Sequence, residues 1–404
     1  MTGATIAQAI PVAISPILTR IYTPEDFGVL ALFMAITSIF GSIASGRYEL
    51  AIMLPKKDED AINIFALGFI ITSFISFLLL VLVLLFNDYF TKLLNNNEIG
   101  IWLYFVPIAV FFTGLYNILN YFNNRKKQYK DLAKANIIKS IVLTIVQLSI
   151  GFIKQGASGL ISGQIISQFF ANTKLLLNII KDKLLISKIS KIKIIALTKR
   201  YKDFPKYSLP AGLANVLSQN LTNILISSFY SVATLGFYSF TQRILGTPSS
   251  LIGNSIGQVF FQQATKEKQQ TGKVINSFNS TVKKLIIIGL PSFGMLFFIV
   301  EDLFTFVFGE EWRIAGTYAQ IILPLYLIRF ISSTVSSINT VFEKQKTSLY
   351  MNILLLISSM VSIYVADYLN LSFIDFLSIL MIVLSIEYCL FLLYFKKLSQ
   401  GVFS

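Results

Sequence analysis

The sequence predicts an all-α integral membrane protein of about twelve transmembrane helices, in two six-helix lobes related by a parallel pseudo-repeat. Three observations carry this. The 404 residues are 54% hydrophobic with a mean hydropathy of +0.69, and apolar segments of about twenty residues, the length that spans a bilayer core, recur along the chain. Only 13% of residues are charged, against about 25% in an average soluble domain. Lysine and arginine are concentrated in alternate connections between the apolar segments.

Spans are expected at residues 2–19, 28–54, 62–86, 99–122, 132–153 and 157–180, then at 208–230, 233–263, 282–308, 316–342, 347–366 and 372–395. The first carries Pro11 and Pro16 and has no basic lead. It therefore reads as a transmembrane helix that the chain enters partway, not as a cleavable signal peptide. The eighth and tenth are long enough to tilt or to extend into the cytoplasm. With the N-terminus inside, the inner connections hold 25 basic residues and the outer ones four, Arg20, Lys92, Lys154 and Arg313. That asymmetry places both termini in the cytoplasm.

The longest connection, 181–207, contains nine basic residues, with Lys and Ile alternating from Lys188 to Ile194. It reads either as an amphipathic helix lying on the inner leaflet or as a solvated basic linker. It divides the chain into an N-terminal lobe, 1–180, and a C-terminal lobe, 208–404. Tyr22 and Gly28 precede Tyr230 and Gly236 by 208 residues, and a long helix follows each pair. An even number of spans per half makes such a repeat parallel, and transporters place binding sites at repeat interfaces near the midplane.

Composition also excludes functions. The chain has no histidine, which rules out His-ligated metals and His general bases. Its single cysteine, Cys389, rules out an internal disulfide. The net charge of +14 is accounted for by the inside loops, so no nucleic-acid partner is implied. No cofactor is expected. The outer connections are short, leaving no room for an external catalytic domain, and transport is favoured over enzymatic activity.

Ionisable side chains within membrane helices are functional candidates by default, because each costs roughly 2.5–3.5 kcal/mol at the helix centre on insertion scales. Arg243 lies seven residues past Gly236 and Arg329 thirteen past Gly316, about 10 Å and 20 Å along their helices. Neither has an acid nearby in sequence. Both are read as facing an aqueous cavity and binding an anion, and phosphate suits the guanidinium fork. Gln8, Gln219, Asn220, Asn223, Gln242, Asn254 and Gln258 suit sugar hydroxyls or helix–helix hydrogen bonds. Lys139 either snorkels to headgroups or faces the cavity. Arg47 and Glu49 are close along one expected helix and could neutralise each other. Glu387 is either a satisfied buried acid or a coupling group.

The stretch from Leu18 to Gly28 (LTRIYTPEDFG), then Gly46-Arg47-Tyr48-Glu49-Leu50-Ala51-Ile52 and Leu54-Pro55, resembles the N-terminal signature of the polysaccharide-export and O-antigen flippase family. That family falls within the multidrug/oligosaccharidyl-lipid/polysaccharide exporter superfamily. A second stretch, Leu235-Gly236-Phe237-Tyr238-Ser239 through Gln242-Arg243 to Ile256-Gly257-Gln258-Val259-Phe260, matches at the corresponding place in the second half. The resemblance implies two six-helix lobes around a V-shaped cavity open alternately to either side. It implies an undecaprenyl-pyrophosphate-linked oligosaccharide as cargo, turned to the outer leaflet of the bacterial inner (plasma) membrane for lipopolysaccharide O-antigen, capsule or exopolysaccharide. It also implies coupling to a proton or sodium gradient. On this reading Arg243 and Arg329 hold the pyrophosphate, with Arg47 at the cytoplasmic entrance. Gln8, Gln219, Asn223, Gln242 and Asn254 contact glycan, and Glu387 or Glu49 carries the coupling ion. Partners are the lipid-linked oligosaccharide, membrane lipids, and as candidates a polysaccharide polymerase and other assembly proteins. The alternatives are a multidrug or small-solute exporter of the same superfamily, a lipid II flippase, and a non-transporting scaffold of a glycan assembly complex.

Overall fold

The computed structural model describes residues 2–94 and 96–402, with side chains from residue 7 onward. Among the described residues every regular element is helical. Contacts divide the chain into two compact units, Met1–Gly236 and Phe237–Ser404.

The first unit contains α1 (Thr2–Ala13), α2 (Ser15–Ile21), α3 (Pro24–Gly41), α4 (Asp58–Leu93), α5 (Ile99–Leu103), α6 (Val106–Arg125), α7 (Tyr129–Ile153) and α8 (Ser158–Ile180). Two short helices, α9 (Lys183–Ile186) and α10 (Lys191–Arg200), lead to α11 (Leu209–Phe229). The helix α12 (Val232–Thr271) begins at the end of this unit and runs into the second. There follow α13 (Ile275–Phe308), α14 (Arg313–Val335), α15 (Ile338–Val341), α16 (Gln345–Tyr368) and α17 (Phe373–Ser399). Helix α11, assigned from sequence to the C-terminal lobe, packs against α3 within the first unit.

Among the described residues, seven helical segments are long and apolar enough to cross a membrane on those grounds alone: α3, α4, α7, α13, Glu310–Val341, α16 and α17. The other five expected spans are occupied by α1–α2, α6, α8, α11 and α12, which are shorter, interrupted or more polar. Long side chains such as Phe74, Phe77 and Leu85 on α4 are exposed. In water this would be an aggregating surface, whereas in lipid it is the ordinary outer face of a span. Three of the long helices, α12, α13 and α14, carry an internal proline (Pro248, Pro291 and Pro324), which membrane helices tolerate more readily than soluble ones.

One expected span ends early. The run 28–54 reads as continuous from its hydrophobicity, yet α3 stops at Gly41. The chain then turns, places Gly46 and Arg47 consecutively in the left-handed region (φ +61° and +63°), and continues as a 3-10 turn, Tyr48–Met53. Glycine accepts that conformation freely, but arginine does not. The helix start is well specified by contrast: Thr23 and Asp26 form a reciprocal capping box before Pro24.

Small residues set how closely the helices approach. Gly159, Gly163 and Ser167, at four-residue spacing on α8, let it lie against α7, where a Cβ on Gly163 would sit 2.7 Å from Gln147 Cγ. The Tyr22 hydroxyl fills the slot beside Gly151 and Gly159 and donates to the Gln147 carbonyl at 2.5 Å. Within the second unit, Gly253 and Gly257 of α12 meet Thr334 of α14, and Thr241 donates to the Ala315 carbonyl at 2.8 Å.

Gly28 and Gly236, which the repeat aligns, pack reciprocally. A Cβ on Gly28 would lie 1.9 Å from the Val232 carbonyl oxygen, and one on Gly236 would lie 1.8 Å from the Pro24 carbonyl oxygen. Pro24 precedes Gly28 by four residues, as Val232 precedes Gly236.

Candidate anion-binding site

Arg47 forms a cationic site in the first unit. The left-handed turn at Gly46–Arg47 swings the Arg47 side chain onto α11. A Cβ at Gly212 would lie 2.9 Å from Arg47 Cζ, so the guanidinium lies flat on the α11 backbone where no side chain intervenes. Arg47 Nη1 is 3.7 Å from Glu49 Oε1. Glu49 is 3% exposed and accepts a short hydrogen bond from the Ser45 hydroxyl through Oε2. Arg47 and Glu49 were expected along one helix. They are instead joined across a turn, which fixes the guanidinium and neutralises the acid. Gly212, Gln219 and Asn223 fall at i, i+7 and i+11 on α11 and so share one stripe. At 1.5 Å per residue, Gln219 and Asn223 lie about 10 Å and 16 Å along the helix from Arg47. Gln8 is exposed on α1.

The second unit holds the other two candidate arginines, Arg243 and Arg329. Tyr238, Gln242 and Gly246 lie one turn apart on α12, and Gly246 faces the Tyr326 ring of α14. Arg329, one turn beyond Tyr326, places its guanidinium 5.9 Å from that ring. Tyr238 of α12 and Tyr388 of α17 are also within electrostatic reach of Arg329. Arg329 forms no ion pair among the described residues and is an exposed residue about three-quarters of the way along α14. Arg243 is half-buried on α12, and Ser250 and Asn254 continue its stripe at i+7 and i+11.

Glu387 of α17 is buried at 7% exposure. Its Oε1 accepts a short hydrogen bond from the Ser358 hydroxyl of α16, whereas Oε2 has no hydrogen-bond partner among the described residues. It forms no ion pair there either. The structure thus brings Arg329 together with the Gln242 face of α12, and Arg47 together with α11. It separates the two acids into a neutralised one, Glu49, and one with unused acceptor capacity, Glu387.

The tyrosines around Arg329 were not read from the sequence. A signal existed: Tyr326 stands three residues before Arg329, and Tyr388 immediately follows Glu387. Their three-helix convergence needs the fold. Among the described residues, no group of histidine, cysteine, aspartate and glutamate side chains could hold a metal ion.

Comparison with solved structures identifies the architecture. A lipid II flippase, MurJ, in an inward closed conformation matches with a TM-score of 0.73 at 17% identity, over 99% of this chain and 90% of that one. An inward-facing multidrug resistance MATE family transporter of the MOP superfamily matches with a TM-score of 0.68 at 12% identity, over 99% and 95%. These likenesses establish a shared fold, the all-α twelve-helix membrane architecture. The teichuronic acid biosynthesis protein TuaB of Bacillus subtilis is 25% identical over 140 residues, 35% of this chain. The match spans 29% of that relative's length. The family model described as polysaccharide biosynthesis protein matches residues 17–316. That range takes in the Arg47 turn and Arg243, and the chain belongs to the polysaccharide biosynthesis protein family.

Proposed function

We propose that this multi-pass membrane protein is a flippase that carries an undecaprenyl-pyrophosphate-linked oligosaccharide from the inner to the outer leaflet of the bacterial plasma membrane, for surface polysaccharide assembly. Both termini lie in the cytoplasm, the lobes of 1–180 and 208–404 alternate in access, and the work is transport without catalysis. The observation that carries this reading is the Arg329 cluster, a guanidinium within an apolar span, close to tyrosines from three helices and without a carboxylate partner among the described residues. An organic cation is repelled there, whereas a pyrophosphate matches the guanidinium donors. A shared fold with both a lipid II flippase and multidrug transporters leaves the cargo open, and the charge of the site selects an anionic one. The teichuronic acid relative supports a surface polysaccharide as the destination.

In this mechanism Arg47, fixed on Gly212, meets the pyrophosphate at the cytoplasmic entrance. Arg243 and Arg329 hold it at depth, while Gln219, Asn223, Gln242 and Asn254 bind sugar hydroxyls. Glu387 carries the coupling ion, proton or sodium, through its free oxygen. Glu49, already matched by Arg47 and Ser45, serves to position Arg47.

The test uses proteoliposomes containing a fluorescent polyprenyl-pyrophosphate oligosaccharide and an impermeant external reagent that reads its exposure. Access that depends on the protein and is lost in Arg243→Ala/Arg329→Ala supports the proposal. Normal flipping by that double variant refutes the anion site. No flipping by folded wild-type protein, with or without a proton or sodium gradient, turns the assignment toward a small-solute exporter. Glu387→Gln is expected to flip at a rate indifferent to the gradient.

A further inference from the structure

Helices α9 and α10 are clamped onto the inner end of α4, and their outer face is neither polar nor covered. The clamp is specific. Asn63 of α4, fully buried, donates through Nδ2 to the Lys188 carbonyl at 3.0 Å and accepts from the Ser190 backbone N–H at 2.8 Å. Glu59 receives Lys193 at 2.9 Å and Lys188 at 3.9 Å. Leu185, Leu197 and Tyr201 enter the core of the first unit. The Tyr48 hydroxyl donates to the Thr198 carbonyl at 3.3 Å. The inward side of α10 is therefore fully used by protein.

The outward side is where water-soluble design fails. Ile192, Ile195, Ala196 and Lys199 share a face at helical spacing, and all are exposed. Ile192 is 80% exposed, and Leu184 of α9 is 83% exposed. Lys181, Lys183, Lys191 and Lys202 flank this strip and take no carboxylate among the described residues. Apolar side chains projecting outward within a ring of unpaired lysines are the pattern of a helix lying in a bilayer interface. The segment also joins the inner ends of two membrane helices, α8 and α11, which keeps it at the surface of the leaflet.

We infer that α9–α10 is a docking surface for anionic phospholipid: Leu184, Ile192 and Ile195 insert below the headgroups, and the free lysines select negatively charged ones. The division of labour is sharp. Lys193 and Lys188 serve the protein clamp, while Lys191, Lys199 and Lys202 serve the lipid. Because Tyr48 bonds to α10 and adjoins Arg47, the lipid-held helix also steadies the turn that presents Arg47.

The lone cysteine makes the test direct. In a Cys389→Ser background, a nitroxide is attached at Ile192→Cys, or independently at Leu184→Cys, and the protein is placed in phosphatidylcholine vesicles with or without phosphatidylglycerol. The expected result is several-fold greater collision with oxygen than with a water-soluble nickel chelate when phosphatidylglycerol is present. That preference should fall in Lys191→Gln/Lys199→Gln/Lys202→Gln and persist in Lys193→Gln, which loosens the clamp instead. Equal nickel access with both lipids at both labelled positions overturns the proposal. So does an oxygen preference that ignores phosphatidylglycerol and the triple substitution, since it would show a purely apolar contact.

Discussion

Replacing Arg47 separates two energies that the structure superimposes. The residue sits at φ +63°, a conformation that costs a side-chain-bearing residue about 1–2 kcal/mol. Its guanidinium also offsets Glu49, which is 3% exposed. Removing one partner of a fully buried pair costs roughly 3–5 kcal/mol. Here the Arg47 side chain is 28% exposed and the closest approach is 3.7 Å, so about 2 kcal/mol is the appropriate scale. Arg47→Ala loses the pair and keeps the backbone strain, a deficit of about 2 kcal/mol. Arg47→Gly loses the same pair and relieves the strain, and should be about 1 kcal/mol more stable than Arg47→Ala. Arg47→Ala/Glu49→Gln should recover most of the ion-pair deficit, because no uncompensated charge stays buried. Unfolding by SDS titration in mixed micelles measures all three against wild type. If Arg47→Gly is no more stable than Arg47→Ala, backbone strain at this turn is refuted. If the double variant is no better than Arg47→Ala, Glu49 is not held electrostatically.

Three further outcomes are expected. Gly28→Val places a side-chain carbon where the Val232 carbonyl stands 1.9 Å away. Restoring an ordinary contact of about 3.3 Å requires a backbone shift of over 1 Å, so a loss at or above the 1–3 kcal/mol typical of overpacking is expected in the same titration; an unchanged midpoint would refute the close approach. Burial first, and then the charge of Asp26, push the Tyr22 phenol up to about 12. Its neutral form is therefore favoured by folding: the contribution is complete below about pH 10 and fades as pH rises toward 12. The stability difference between wild type and Tyr22→Phe should shrink across that window, and a difference constant with pH would argue against it. Glu267 is pushed up by burial, but the Ser277 and Asn276 amides it accepts outweigh this and hold it below the usual carboxylate range. Its contribution is present above the ordinary carboxylate value and lost as pH falls through its own. Glu267→Gln should accordingly flatten the acid limb of an unfolding-versus-pH profile, and an unaltered limb would refute the role.

The sequence was most informative where the physics is one-dimensional. Span positions follow from hydrophobic length, as α7 at Tyr129–Ile153 and α8 at Ser158–Ile180 show against expected spans of 132–153 and 157–180. The Thr23–Asp26 capping box that starts α3 at Pro24 is a local signal, although hydropathy alone sets the expected span to begin at 28. The end of α3 is not local in the same way. Residues 42–54 remain apolar through Ile43, Ala44, Leu50, Ala51 and Ile52, so hydropathy continues while the backbone leaves the helix at Gly46–Arg47. The site divides similarly. Arg243 and Arg329 stand out as charges at depth in an apolar run. The seat of Arg47 on Gly212, 165 residues away, and the tyrosines from three helices around Arg329 depend on packing that no local pattern encodes. The linker shows the same limit: alternating Lys and Ile suggested amphipathy, but the Asn63 clamp decides which face turns inward.

The reciprocal contact of Gly28 and Gly236 has the logic of an isologous interface, in which residue i of one copy meets residue j of the other and j meets i. Pro24 pairs with Gly236 and Gly28 with Val232, so each helix start supplies both a glycine gap and the carbonyl that fills the other's gap. Each glycine leaves room for the opposing helix's carbonyl rather than for the other glycine, so enlarging one cannot be compensated by shrinking the other. Both positions are therefore closed to any residue that carries a side chain.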